Sequence, residues 1–210
     1  MARSTLDPSL PSADLVAVES EEDRERRTLI ADAAARCFER WGVHRTRMED
    51  IAQEAGIARP ALYRYYAGKE ALLLEVVVRH IRDRAAALHK RVKKKGPAGP
   101  LIRQALLAGI VGGPDRGIAE SVLGVDVLHD TAKLVAQTDS VFEAMSGYWR
   151  PYLDYAAERG ELRPDVEPDA AVRWLTSIVF CFLTVPEIVP PERDLPAYLQ
   201  TFVVNAVVTG

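Results

Sequence analysis

Residues 46–72 read Thr46-Arg-Met-Glu-Asp-Ile-Ala-Gln-Glu-Ala-Gly-Ile-Ala-Arg-Pro-Ala-Leu-Tyr-Arg-Tyr-Tyr-Ala-Gly-Lys-Glu-Ala-Leu72. Met48, Ile51, Ala52 and Ala55 recur at three- and four-residue steps, the inner face of a short helix, and Gly56 stops it. Thr46 and Glu49 have the spacing of a capping box, so the helix is expected to begin at Thr46. A second short helix is expected over 59–65, with Pro60 tolerated in its first turn, before Ala67-Gly68 breaks the chain again.

Upstream, Leu29, Ile30, Ala33, Ala34, Cys37, Phe38 and Trp41 form the apolar stripe of a longer helix ended by Gly42. Cys37 lies on that stripe and reads as a small core residue, not a nucleophile. Downstream, Leu72, Leu73, Val76, Val77, Ile81, Leu88 and Val92 give a long amphipathic helix over 69–94, closed by Lys93–Lys95 and Gly96-Pro97-Ala98-Gly99-Pro100. Helices are then expected over 101–111, 115–134, 139–159, 167–185 and 195–208, and no alternating strand pattern competes with them. The expected fold is all-α. Its divisions are a disordered acidic tail over 1–23, a three-helix domain over 24–68, a connecting helix over 69–95 and a larger helical domain over 96–210.

Charge follows the same division. Residues 24–95 hold 18 Lys and Arg against 9 Asp and Glu, a net +9, whereas 1–23 carry −5 and 96–210 carry −7. A basic block in an otherwise acidic chain suits a part that meets a polyanion, although a solvated helix surface would show the same sum. The longest apolar stretch, near 177–185, is far short of the ~20 residues a bilayer-spanning helix needs. The opening residues have no signal-peptide pattern, and Cys37 and Cys181 are too far apart for a Cys-x-x-Cys metal site, so a cytoplasmic, nucleoid-associated protein without metal or cofactor is expected.

Two short helices joined by a tight turn at Gly56-Ile57, with a third packed behind, make the helix-turn-helix arrangement. One helix crosses the phosphate backbone and the next enters the major groove of duplex DNA. Candidate DNA contacts are Thr46 and Arg47 at the first helix start, and Ala58, Arg59, Pro60, Ala61, Tyr63, Arg64 and Tyr65 on the second. Lys69 at the start of the long helix joins them. Arg59, near the leading end, is the candidate for reading a guanine edge with both guanidinium arms.

This stretch resembles the DNA-binding signature of TetR-type transcriptional regulators. The matching pieces are Ile51-Ala52, Ala55-Gly56-Ile57, Leu62-Tyr63, Tyr65-Tyr66, and Lys69-Glu70 with Leu72. The likeness runs back through Ala33, Phe38 and Gly42, and a weaker echo comes at Gly160-Glu161-Leu162-Arg163-Pro164-Asp165. Ala58 departs from the usual Ser or Thr cap and Tyr66 from the usual Phe. The resemblance implies a homodimer facing a palindromic operator, with its last two helices in a four-helix interface. It also implies a small-molecule effector that alters the spacing of the recognition helices, most simply in a repressor.

The expected interface residues are Val172, Leu175, Val179, Phe182, Leu183, Leu199, Phe202 and Val203, a larger apolar surface than one helix face of a monomer needs. Arg103, Val125, His129, Phe142, Met145, Tyr148, Trp149, Tyr152, Trp174 and Ile178 are the candidate lining of an apolar or amphipathic ligand site, against the plainer reading of aromatic core. An enzyme would need a nucleophile–base pair, a metal set or a phosphate-cradling loop; Gly109–Gly113 lacks the Lys-Ser/Thr of a P-loop and follows a helix. A scaffold or interaction module would have no use for the capped, cationic arrangement over 46–69.

Overall fold

The computed structural model describes residues 20–111 and 138–209, all helical apart from turns and one isolated β-bridge. The described helices are α1 (Glu21–Trp41), α2 (Met48–Glu54), α3 (Arg59–Tyr65), α4 (Lys69–Arg91), α5 (Ala98–Val111), α6 (Asp139–Glu158), α7 (Pro168–Thr184) and α8 (Leu195–Phe202). The expected helix over 115–134, together with Val125 and His129, lies outside the described residues, as does most of the expected acidic tail.

Helix α1 starts three residues before the expected domain boundary at 24. Ser20 caps it by accepting the Asp23 N–H, and Glu21, Glu22 and Asp23 place negative charge on its first turn. Helix α2 ends in a Schellman turn: Ile57 N–H donates to Ala52 and Gly56 N–H to Gln53, with Gly56 at φ +66°. That conformation sets the exit angle of the chain into α3. The capping box at the other end of α2 differs from expectation. Arg47 is the N-cap residue, and Asp50, not Glu49, takes its N–H at 2.8 Å.

Two cores result. Ile30, Phe38, Ile51 and Leu62 pack with Leu72, Leu73, Val76 and Val77 of α4 into the smaller one. Ala85 and Leu88 of the same helix and its C-cap residue Val92 enter the larger one, with Leu106, Trp149, Leu153, Leu175 and Leu199. Between them Val78 packs with Val141 and Ala144 of α6, with Met145 alongside. Helix α4 is thus one rod of 23 residues embedded at both ends.

Two expectations are corrected, one at the C-terminus and one before α5. Helix α8 stops at Phe202, and the chain passes through a 3₁₀ turn (Val204–Ala206) into a short antiparallel pairing with the turn after α6. Val207 O accepts the Arg163 N–H, and Thr209 N–H donates to Glu161 O. Val203, Val204, Val207 and Val208 are all buried at spacings a helix would also show, so the pattern alone read as helix. The Gly96–Pro100 stretch, read as the boundary before a helix expected from 101, holds the start of α5, whose Ala98 N–H is capped by the Glu161 carboxylate at 2.5 Å. Pro100 is accommodated because first-turn amides have no intrahelical partner.

Candidate nucleic-acid interface

Helix α3 lies across one face of the smaller core with only Leu62 fully buried, so its remaining side chains are available. Tyr63 is 41% exposed and the Arg59 side chain 58% exposed. Ala58, Pro60 and Arg64 are exposed, and Ala61 and Tyr65 half-buried. Ala58 makes no side-chain cap, as its methyl requires, and its carbonyl alone takes the Ala61 and Leu62 amides.

The cationic and phenolic groups are held by neighbours. The Arg59 guanidinium sits 2.8 Å from the Glu49 carboxylate of α2, and its other arm lies 3.5 Å from the Tyr63 hydroxyl. Arg64 donates to the Tyr65 hydroxyl at 3.0 Å, and that hydroxyl donates to Asp23 of α1 at 3.1 Å. Bonds from Ser20 and Tyr65 hold the Asp23 carboxyl below the ordinary carboxylate range. Arg27 of α1 donates to the Tyr65 carbonyl at 2.9 Å and lies over the Tyr65 and Tyr66 rings. The extra hydroxyl of Tyr66 is satisfied by the Arg27 carbonyl. The sequence reading missed Asp23, Arg27 and Glu49: pairs 42, 38 and 10 positions apart leave no local pattern.

Two candidate contacts are corrected. Thr46 is 1% exposed; its hydroxyl donates to Gly42 O at 2.8 Å, with Cys37 O at 3.2 Å, and its amide is taken by Gly42 O. With both donors turned inward, Thr46 pins the α1–α2 turn and has nothing to offer a phosphate. The Lys69 ammonium donates to Val43 O, His44 O and Thr46 O at 2.9–3.3 Å, so its three protons close the same turn. Arg47 remains exposed at the start of α2.

In the larger core the expected ligand residues separate. Tyr148 donates to Ala105 O at 2.9 Å and the Trp149 indole to Thr176 at 3.1 Å, which makes both satisfied core residues. Arg103 bonds Gln200, and Arg173 lies over the half-buried Phe142 ring. Met145 and Ile178 are partly buried against the core. Trp174, 43% exposed, faces outward and is no lining residue. Tyr152 differs from the others: 1% exposed, it carries a buried hydroxyl without a hydrogen-bond partner among the described residues and is pushed up to about 12 by burial. Its ring packs against His89 of α4, whose Nε2 lies 3.2 Å from Tyr148 O.

The expected dimer residues also separate. Val172, Leu175, Phe182, Leu199 and Val203 are buried within the monomer, because α7 and α8 turn those faces to α5 and α6. Phe202 is 63% exposed; Val179 and Leu183 are half-buried. The outward apolar surface includes Trp174, Val185, Ile188, Tyr198 and Phe202, with the Tyr198 ring in tilted contact with those of Phe182 and Phe202.

A short helix, a Schellman turn and an exposed, cation-bearing second helix on a three-helix core define a helix-turn-helix DNA-binding domain. Residues 30–76 match the family model of bacterial regulatory proteins, tetR family, so this segment is a DNA-binding domain of the tetR type. The chain is 28% identical over 156 residues to the HTH-type transcriptional repressor KstR2 of Rhodococcus jostii, covering 71% of this chain and 74% of that protein. Among solved structures it is similar to the SmeT–triclosan complex (25% identity, TM-score 0.55, 88% of this chain and 92% of that one). The fold is also that of the regulator FadR from Bacillus subtilis, solved with stearoyl-CoA (20% identity, TM-score 0.53, 87% and 98%). No helix among the described residues is long and apolar enough to cross a membrane.

Proposed function

We propose that this chain is a homodimeric, effector-released repressor that reads a palindromic operator through α3. The observation that carries the reading is the path of α4: one helix whose first turns belong to the DNA-facing core and whose last turns belong to the larger core. A shift of its far end must therefore move the recognition helix. Arg59, Tyr63 and Arg64 supply the exposed donors, with Arg47 at the start of α2 as a phosphate contact.

The outward faces of α7 and α8 supply the dimer surface, with Trp174, Tyr198 and Phe202 in place of the buried residues. A two-fold axis there would set the two recognition helices about one DNA turn apart, roughly 34–36 Å. The effector site lies in the larger core beside Tyr152, whose hydroxyl has no partner among the described residues and would donate to an acceptor oxygen on an otherwise apolar ligand. His89 then links that site directly to α4. A ligand favouring one α4 position shifts the DNA-competent population by its differential affinity for the two states. Repression is supported by the name of KstR2, and ligand control by the triclosan complex of SmeT. A cytoplasmic, nucleoid-associated location and the absence of catalytic activity follow from this role.

The test is binding of the full-length protein to a 30-bp duplex followed by anisotropy. Affinity should fall steeply with added salt, log Kd moving linearly with log salt concentration. Binding that ignores salt would overturn the reading.

A further inference from the structure

The Arg59–Glu49 pair joins the two helices of the DNA-binding motif at its exposed face, and both partners are half or more accessible, at 58% and 50%. A pair so placed contributes little to folding. Its geometry suits another purpose. One Glu49 oxygen holds Arg59 Nη1 at 2.8 Å, while Nη2 rests 3.5 Å from the Tyr63 hydroxyl and the guanidinium carbon stands 5.5 Å from the Tyr63 ring centre. The guanidinium is thus oriented, by a single charged contact that can be exchanged.

We propose that Glu49 is a specificity-determining positioning residue: it holds Arg59 for the base edge and makes every other use of Arg59 on DNA unfavourable. This rests on the assignment of Arg59 as the reader of a base edge. Arg59 can turn to a backbone phosphate only by giving up its carboxylate, which leaves Glu49 uncompensated beside a polyanion. A guanine offers two acceptors, N7 and O6, to N–H groups that Glu49 does not occupy, so Arg59 can read the base while its carboxylate contact is kept. Glu49 therefore weakens binding to wrong sequences more than binding to the right one, the repulsive half of a specific interface.

The experiment selects bound duplexes from a randomised 30-bp pool with full-length protein and sequences them, and measures the salt dependence of affinity for mixed-sequence duplex. Wild type should enrich guanine at one position in each half-site. Glu49→Gln should bind mixed-sequence duplex more tightly, steepen its salt slope by about one as Arg59 moves to a phosphate, and lower the guanine preference by about threefold or more. Arg59→Ala should lose the preference, and adding Glu49→Gln to it should then change neither preference nor salt slope. Glu49→Asp, which keeps the charge on a shorter arm, should fall between wild type and Glu49→Gln.

An unchanged preference and salt slope in Glu49→Gln would overturn the proposal. So would an effect of equal size in the Arg59→Ala background, because the carboxylate would then act without Arg59. A wild-type protein that enriches no sequence would instead overturn the reading of Arg59 itself.

Discussion

Lys69 and Glu161 are both charged residues at helix junctions, and each closes its junction by bonding backbone. The three Lys69 bonds predict that Lys69→Met lowers thermal stability by about 1 kcal/mol, since charged hydrogen bonds at a half-exposed site are worth that order. The salt slope of DNA binding should stay unchanged, whereas a phosphate contact would lower it by about one. Glu161 accepts from Ala98 N–H and from Arg159, and these bonds lower its folded pKa below the ordinary glutamate value. A carboxyl with a depressed folded pKa stabilises above its unfolded pKa and loses that contribution as pH falls through the folded one. Wild type should therefore melt above Glu161→Gln at pH 7, and the gap should close below about pH 4. Equal gaps at pH 7 and pH 3 would exclude this linkage. Arg59 and Tyr65 were legible as candidates from the motif, but their partners were not, because Glu49 reaches Arg59 and Asp23 reaches Tyr65 only across helix contacts.

Among the elements, the α2–α3 turn depends on one residue with positive φ. Gly56→Ala meets open space for its methyl, so its cost comes from the left-handed backbone alone, about 1–2 kcal/mol by chemical denaturation. A larger loss would mean that the turn also carries packing. This turn was readable from Gly56 after the apolar face of Met48, Ile51, Ala52 and Ala55, since a Schellman end is local in sequence. The end of α8 was not, because the backbone partners that draw residues 207–209 into extended pairing sit 44 or more positions away in the turn after α6. Thr46 misled for a related reason. Its capping-box spacing is local, but the carbonyls of Cys37 and Gly42 lie within reach of the hydroxyl, and the buried bond won.

For the whole molecule, the outward apolar face predicts assembly. Phe202→Glu, placed on the most exposed aromatic of α8, should shift sedimentation from dimer toward monomer while leaving the melting cooperative. Leu175→Ala serves as the contrast: fully buried, it should cost about 2–5 kcal/mol of stability as a core cavity instead. A monomeric Leu175→Ala with unchanged melting would return that residue to the interface. The amphipathic periods and the glycine stops determined on their own that the chain is helical and where its first four helices lie, and the helix-turn-helix spacing with the basic block over 24–95 marked the segment expected to meet DNA. Only the tertiary structure decided which face of α7 and α8 stays outside, which donors are spent inside the fold, and that α4 serves two cores. Periodicity reports that a face is apolar, but what covers the face depends on helices far away in the chain, and only their packing supplies that.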